Sequence, residues 1–122
     1  MITGINISAT KDYISKFDKG EQKTTWKIGA LDSDIFDLIG EYSQNPLKMT
    51  SEVVRFGLKG FENFKDAKEN IINFDTISRS VGRSNYNVVA DSIMKILPPE
   101  IKSELSAEIL KLSKLSEEEI KN

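Results

Sequence analysis

Two kinds of hydrophobic spacing divide this chain into one predicted strand and a series of predicted helices. In residues 24–31, Trp26, Ile28 and Ala30 alternate with polar or small residues. This period of two predicts a strand with one apolar face. From residue 34 onward, apolar residues recur at intervals of three and four, which is the spacing of an amphipathic helix.

The helical spacing predicts four helices, which cover residues 34–44, 51–59, 87–97 and 100–115. Residues of the types that cap helices stand near their starts: Asp or Ser in 32–34, Thr50 or Ser51, and Asn85 or Asn87. Asn45-Pro46 is expected to end the first helix, because the residue before a proline disfavours helical backbone. A capping-box spacing at residues 116–119 predicts the start of a short final helix.

Two other segments carry local signals. Gly57 lies inside the second helical pattern, where glycine costs up to about 1 kcal/mol relative to alanine. We therefore expect either close packing of another element there or a break in the helix. Residues 76–87 contain no acidic residue and are rich in Ser, Gly and Asn, a composition that predicts a loop.

The predicted fold is mainly α with a small β element, an α+β arrangement of four to five helices around one core. The β element consists of the strand at 24–31, paired with residues 5–7 or 71–74. The whole chain, residues 1–122, is expected to form one domain. Residues 1–23 are predominantly polar beyond residue 10 and are expected to form a mobile N-terminal arm.

The composition removes several classes of chemistry. The 122 residues include no histidine and no cysteine, which excludes the commonest general base and the usual zinc ligands. Lys and Arg total 17 against 19 Asp and Glu, a net charge of -2, whereas nucleic-acid binders usually carry a basic face. No apolar run approaches the roughly 20 residues that a membrane span needs. We expect a protein that is not an enzyme and needs no cofactor or metal.

Charged residues nevertheless offer two candidate sites. Arg79, Arg83 and Lys59 are candidates for a small anion-binding surface, because arginine forks suit phosphate and carboxylate. The alternative is that both arginines are solvated in a loop. The acidic cluster of residues 32–41 is a candidate for Mg²⁺ binding or acid–base catalysis. Helix starts favour negative charge in any case, so we interpret the cluster as structural.

Several apolar side chains are ambiguous between a core and an interface. Aromatic residues anchor interfaces and also fill small cores, and burial is expected for Trp26, Phe61, Phe64 and Phe74. Leu110 lies opposite the apolar stripe of the last long predicted helix. This position suits a helix buried on both sides, by a sheet or by another subunit, although a lone surface leucine is also common. Phe36 is displaced from its own stripe in the same way.

Three short motifs follow one another along most of the chain. Residues 24–31 (TTWKIGAL) follow a polar turn, residues 54–64 (VRFGLKGFENF) contain a GL-x-G-aromatic-x-N stretch, and residues 110–122 read LKLSKLSEEEIKN. This layout resembles the tail assembly chaperones of bacteriophage and prophage tail modules. The resemblance implies an N-terminal β segment before a helical body. It also implies a non-catalytic role in the cytoplasm of a bacterial host cell.

Such chaperones coat an extended tape-measure protein and keep it soluble until the tail polymerises, using apolar helix faces and self-association. Phe36, Phe61, Phe64 and Leu110 would then be partner surfaces. Two other functions stay open. One is a prophage-encoded inhibitor of a host defence nuclease, of the anti-CRISPR type, in which the acidic helix start mimics nucleic acid. The other is a weak nucleic-acid contact through Arg79, Arg83 and Tyr86.

Overall fold

The computed structural model describes residues 1–114, which form five strands and four helices. The strands are β1 (Thr10–Ile14), β2 (Thr25–Gly29), β3 (Leu58–Glu62), β4 (Thr76–Val81) and β5 (Ser84–Val89). The helices are α1 (Ser33–Gly40), α2 (Pro46–Gly57), α3 (Asp91–Met94) and α4 (Pro99–Leu112). Helices account for 33% and strands for 25% of these described residues. The fold is thus a mixture of α and β, and the prediction of a mainly α protein is wrong.

The first sheet is antiparallel and has the order β1-β2-β3. Its central strand, β2, confirms the strand predicted from the alternation in residues 24–31. Its neighbours differ from those expected: β1 lies within the segment predicted as an arm, and β3 follows α2 without a loop. Residues 5–7 form no strand, and residues 71–74 contribute a single isolated bridge between Lys65 and Ile71.

The second sheet is the antiparallel hairpin of β4 and β5. Its turn is Gly82-Arg83, where Gly82 has a φ of 60°, a conformation that favours glycine. The loop predicted at 76–87 and most of the helix predicted at 87–97 are therefore wrong. Ser and Asn fill the outward positions of both strands, so the period of two in this segment was hidden by its polar composition. The chain is α-helical here only from Asp91 to Met94.

Of the three predicted helix caps, one is correct and two are wrong: Asn85 and Asn87 lie inside β5, and α3 instead starts after Ala90 without a side-chain cap. Asp32 caps α1, and its Oδ1 accepts a hydrogen bond from the Ile35 N–H at 2.9 Å. Asn45 caps α2 in place of Thr50 or Ser51, and its Oδ1 accepts from the Lys48 N–H at 3.2 Å. Pro46, expected to mark the end of a helix, instead opens α2, because a proline in the first turn needs no hydrogen-bond donor.

The core lies where α4 packs against both α2 and β2, and α2 also packs against β5. α4 is therefore buried by a helix and by a sheet, and Leu110 is partly buried against the core, as is Phe36. Gly57 occurs at the contact with α4, where the side chain of Ile109 fills the space that a Cβ would occupy. This confirms the expectation of close packing at Gly57. Leu115 and the predicted capping box at 116–119 lie outside the described residues.

An ion-pair network around a buried carboxylate ties the hairpin to α2 and α3. Glu52 of α2 is 6% exposed. Its Oε2 lies 2.7 Å from Arg79 Nη1 of β4, and its Oε1 lies 3.6 Å from Arg55 Nε. Arg55 Nη1 in turn lies 2.6 Å from Asp91 Oδ1. Because Glu52 has two basic neighbours, its negative charge is compensated although it is buried.

Candidate functional site: a groove beside Phe17

Three adjoining hollows line one side of the molecule. The first lies between β1 and α4 and has a volume of about 620 Å³. The second has about 250 Å³ and shares Phe17 with the first. The third has about 400 Å³ and shares Phe64 and Pro98 with the second. We call this surface the Phe17 groove, and its larger apolar lining residues are Tyr13, Phe17, Trp26, Phe64, Ile96, Pro98 and Ile101.

A short turn after β1 presents Phe17 to solvent. The Ser15 Oγ accepts a hydrogen bond from the Phe17 N–H at 3.0 Å, and the Ser15 carbonyl accepts from the Asp18 N–H at 3.1 Å. Asp18 Oδ2 accepts from the Thr24 N–H at 2.8 Å, which fastens the turn to the start of β2. The phenyl ring stays 54% exposed, because these bonds hold the backbone while the side chain points away from the core.

A cluster of aromatic rings supports the middle of the groove. The centroids of Trp26 and Phe64 are 5.0 Å apart, and those of Phe61 and Phe64 are 5.1 Å apart. Phe61 also meets Phe74 edge-on at 5.2 Å. Edge-on and tilted pairs of this kind are favourable because of the ring quadrupoles. Trp26 and Phe64 therefore form a firm wall rather than loosely packed side chains.

Trp26, which lines the second hollow, carries a buried hydrogen-bond donor without an acceptor. Trp26 is 3% exposed, and its Nε1 makes no hydrogen bond within residues 1–114. Leaving such a donor unpaired costs about 1–3 kcal/mol, and each such group in a native protein calls for an explanation. Because this nitrogen is buried, a ligand with an oxygen acceptor would remove this cost only if the side chains around Trp26 moved apart.

A charged rim surrounds the first hollow. Glu104 Oε2 accepts from Tyr13 OH at 2.8 Å and from the Lys16 N–H at 3.1 Å. Burial and the neighbouring Glu104 raise the pKa of Tyr13 to about 12. Burial alone would raise the pKa of Glu104, but the hydroxyls of Ser15 and Tyr13 and the Lys16 N–H lower it below its usual value. Glu104 is therefore ionised at neutral pH, next to Lys16, and the rim carries both signs of charge.

The structure brings together two pairs of the residues predicted to bind a partner. Phe61 and Phe64 share the aromatic cluster, and Phe64 lines the groove. Arg79 and Tyr86 face each other across the hairpin and both contact the ring of Phe56. The remaining three lie on different elements: Phe36 on α1, Leu110 on α4 and Arg83 in the exposed turn of the hairpin.

Most of the groove was missed by the sequence reasoning. Phe17 and Pro98 follow no helical or strand periodicity, and Ile96 falls on the apolar face of the helix predicted at 87–97. A usable signal was the position of Phe17 alone, an aromatic residue within a largely polar segment. The contact of β1 with α4 joins Tyr13 to Glu104, 91 positions apart, and local spacing carries no information about it.

The residues proposed for an anion surface are mostly occupied by neighbours in the same chain. Arg79 pairs with Glu52, and Lys59 Nζ donates to the Phe56 carbonyl at 2.8 Å. Burial lowers the pKa of Lys59, while Asp32 opposes the shift. Within residues 1–114, no three acidic side chains are grouped so that they could hold a metal ion.

Both carboxylate oxygens of Asp32 accept hydrogen bonds from groups in the same chain. Its Oδ1 caps α1, and its Oδ2 accepts from Tyr86 OH at 2.7 Å. This hydrogen bond, together with burial, raises the pKa of Tyr86 to about 12. Asp32 is thus a structural residue that joins α1 to the hairpin.

We expect Asp32→Asn to lower the pKa of Tyr86 toward 10, because the carboxylate no longer disfavours the tyrosinate. Since the folded-state pKa of Tyr86 lies above its value in an unfolded chain, its stabilising effect is complete below about pH 10 and is lost as the pH rises toward 12. Alkaline titration followed by tyrosinate absorbance measures the shift, and Tyr86→Phe identifies the signal. An unchanged titration in the Asp32→Asn variant would show that this carboxylate does not control Tyr86.

No described helix has both the length and the apolar character that crossing a membrane requires. Comparisons of this chain with protein-family models, curated proteins and solved structures found no match.

Proposed function

We propose that this protein acts by binding an apolar segment of another protein in the Phe17 groove, as a tail assembly chaperone holds a tape-measure protein. One observation carries the proposal: exposed apolar side chains line a long groove, and Trp26 in its wall carries a buried, unpaired hydrogen-bond donor. The sequence resemblance described above supplies the class of partner. The proposed activity is non-catalytic.

The apolar lining supports a protein partner. Phe17 is 54% exposed and Ile96 is 43% exposed, and half-buried Phe64 lies between them in the lining of the second and third hollows. Contiguous exposed apolar surface with a polar rim is typical of interaction sites. The neighbouring charges of Lys16 and Glu104 provide such a rim at one end.

The unpaired indole narrows the chemistry of the partner. An all-hydrocarbon surface would leave Trp26 Nε1 without an acceptor, whereas a peptide carbonyl would satisfy it. A polypeptide segment offers both apolar side chains for Phe17 and Phe64 and a carbonyl oxygen for Trp26. A segment of a long, apolar protein therefore suits this groove better than a pure hydrocarbon does.

Phe17→Glu is expected to abolish the chaperone effect, because it places a charge among the apolar side chains that would contact the partner. The measurement is the soluble fraction of an apolar tape-measure segment co-expressed with each variant. Leu47→Glu is the matched control: Leu47 is 83% exposed at the start of α2 and does not line the groove. Circular dichroism should give the same fold for both variants.

Equal solubility of the segment with wild type and Phe17→Glu would refute the role of the groove. If the segment loses solubility with both Phe17→Glu and Leu47→Glu, any added surface charge interferes with the chaperone effect. That result would also count against the groove as the binding site. Trp26→Phe adds a finer test, since it keeps an aromatic ring but removes the donor. It should weaken binding of the segment by about tenfold, the effect of losing one hydrogen bond worth about 1.4 kcal/mol.

A further inference from the structure

β4 forms an open edge of the second sheet. That sheet contains β4 and β5, and within residues 1–114 no other strand pairs with β4. Thr76, Ile77, Ser78 and Ser80 are exposed. An edge strand with free backbone groups is a template for a further strand.

The register identifies which backbone groups are free. Val81 and Ser84 flank the two-residue turn, so they form a hydrogen-bonded pair, and the pairs that follow alternate between bonded and non-bonded. The bond from the Ala90 N–H to the Asp75 carbonyl, at 3.0 Å, fits the same alternation. Ser78 and Ser80 occupy the non-bonded positions. Their N–H and C=O groups therefore point away from β5, and the described chain offers them no partner.

β4 lacks the features that normally protect an edge. Proteins discourage edge pairing with exposed charges, prolines or bulges. β1, the outer strand of the first sheet, has exposed Lys11 and Asp12. β4 has no proline and pairs with β5 without a bulge. Its one charged residue, Arg79, is compensated by Glu52 at 2.7 Å.

The same strand can pair with itself in several antiparallel registers, and only an axis at Ser78 pairs all three outward residues of β4 with one another. A twofold axis at Ser78 pairs it with Ser78 of the second copy and pairs Thr76 with Ser80. At each of these positions, the backbone N–H and C=O groups that point away from β5 then face the same groups of the second copy. An axis at Arg79 would also align outward groups, but it would place two arginines directly opposite each other, which is unfavourable.

We propose that β4 pairs with β4 of a second copy of this chain about a twofold axis at Ser78. The two hairpins then form a continuous four-stranded antiparallel sheet. The pairing is isologous, so it closes at a dimer and does not propagate. Ile77, which is exposed in the single chain, lies next to Arg79 of the second copy and is covered. This interface is separate from the Phe17 groove and does not depend on the proposed function.

A cysteine at the axis tests the register directly, because the chain contains no other cysteine. Hydrogen-bonded antiparallel pairs have Cα atoms about 5.5 Å apart, within the range of a disulfide. Oxidised Ser78→Cys should therefore run mainly as a covalent dimer on a non-reducing gel. Ser43→Cys is the control, since Ser43 is exposed in the turn after α1. Equal cross-linking of the two variants would overturn the register.

A charge at the axis tests the dimer itself. Wild-type protein should show a concentration-dependent dimer by sedimentation velocity, and Ser78→Lys should shift it to monomer. Asn87→Lys introduces the same charge opposite Ser78 on β5, one strand away from the proposed interface, and should leave the dimer intact. Wild type that stays monomeric at all concentrations refutes the proposal. Phe17→Glu should still dimerise, and Ser78→Lys should still solubilise the tape-measure segment, so the two proposals fail independently.

Discussion

Replacing Glu52 by alanine is expected to lower the free energy of unfolding by about 3 kcal/mol, the usual effect of removing one member of a buried ion pair. The carboxylate lies between Arg79 and Arg55, with O···N distances of 2.7 and 3.6 Å. Its removal leaves Arg79 beside the ring of Phe56 without its counter-charge. Urea denaturation followed by circular dichroism measures the change.

Glu41→Ala is the control for this prediction, because Glu41 is exposed and makes no ion pair within residues 1–114. It should change the free energy of unfolding by less than about 0.5 kcal/mol. The double variant Glu52→Met/Arg79→Met should recover much of the loss, since apolar side chains often replace a buried pair at little cost. A loss below 1 kcal/mol in Glu52→Ala would contradict a structural role for this network.

Gly57→Ala is expected to destabilise the protein by about 2 kcal/mol, although alanine is the better helix former. A Cβ at position 57 would lie 2.5, 2.7 and 2.9 Å from Cγ2, Cδ1 and Cγ1 of Ile109. Ile109 is 0% exposed and belongs to the main core cluster. α2 and α4 must therefore separate, which weakens the main helix contact of the core.

Gly40→Ala provides a matched comparison at the end of α1. Nothing lies within 4 Å of the Cβ that it would introduce, so it should be neutral or stabilising by up to about 1 kcal/mol. In an Ile109→Ala background the Gly57→Ala change should cost much less, because the obstructing atoms are gone. Equal costs in the two backgrounds would mean that the close approach does not limit this position.

Sequence periodicity predicted the elements whose apolar residues are buried in a regular pattern. β2 follows from the alternation of Trp26 and Ile28, and the cap of α1 follows from Asp32. The second sheet was misread for a physical reason: β4 and β5 expose Ser and Asn on their outer positions, and these residues resemble a loop in composition. Val89 and Ile93 are four residues apart, which imitated a helix although Val89 ends a strand.

The candidate site was less predictable than the fold. Of the groove residues, only Phe64 is predicted as a partner residue from the sequence, and that prediction rests on the family resemblance. Phe17 acquires its significance from the apposition of the turn after β1 with α4, and Ile96 from the apposition of residues 64–67 with residues 96–98. Such contacts join segments far apart in the chain, and hydrophobic spacing reports only on neighbours.

The direct junction between α2 and β3 has a consequence for how the molecule opens. Gly57 ends the helix and Leu58 begins the strand, so no linker separates them. Fraying of α2 at this end would pull on the pairing of β3 with β2, and loss of that pairing would release the end of α2. We therefore expect α2 and β3 to unfold as one cooperative unit. Phe61 belongs to that unit, and the aromatic wall of the groove would loosen with it.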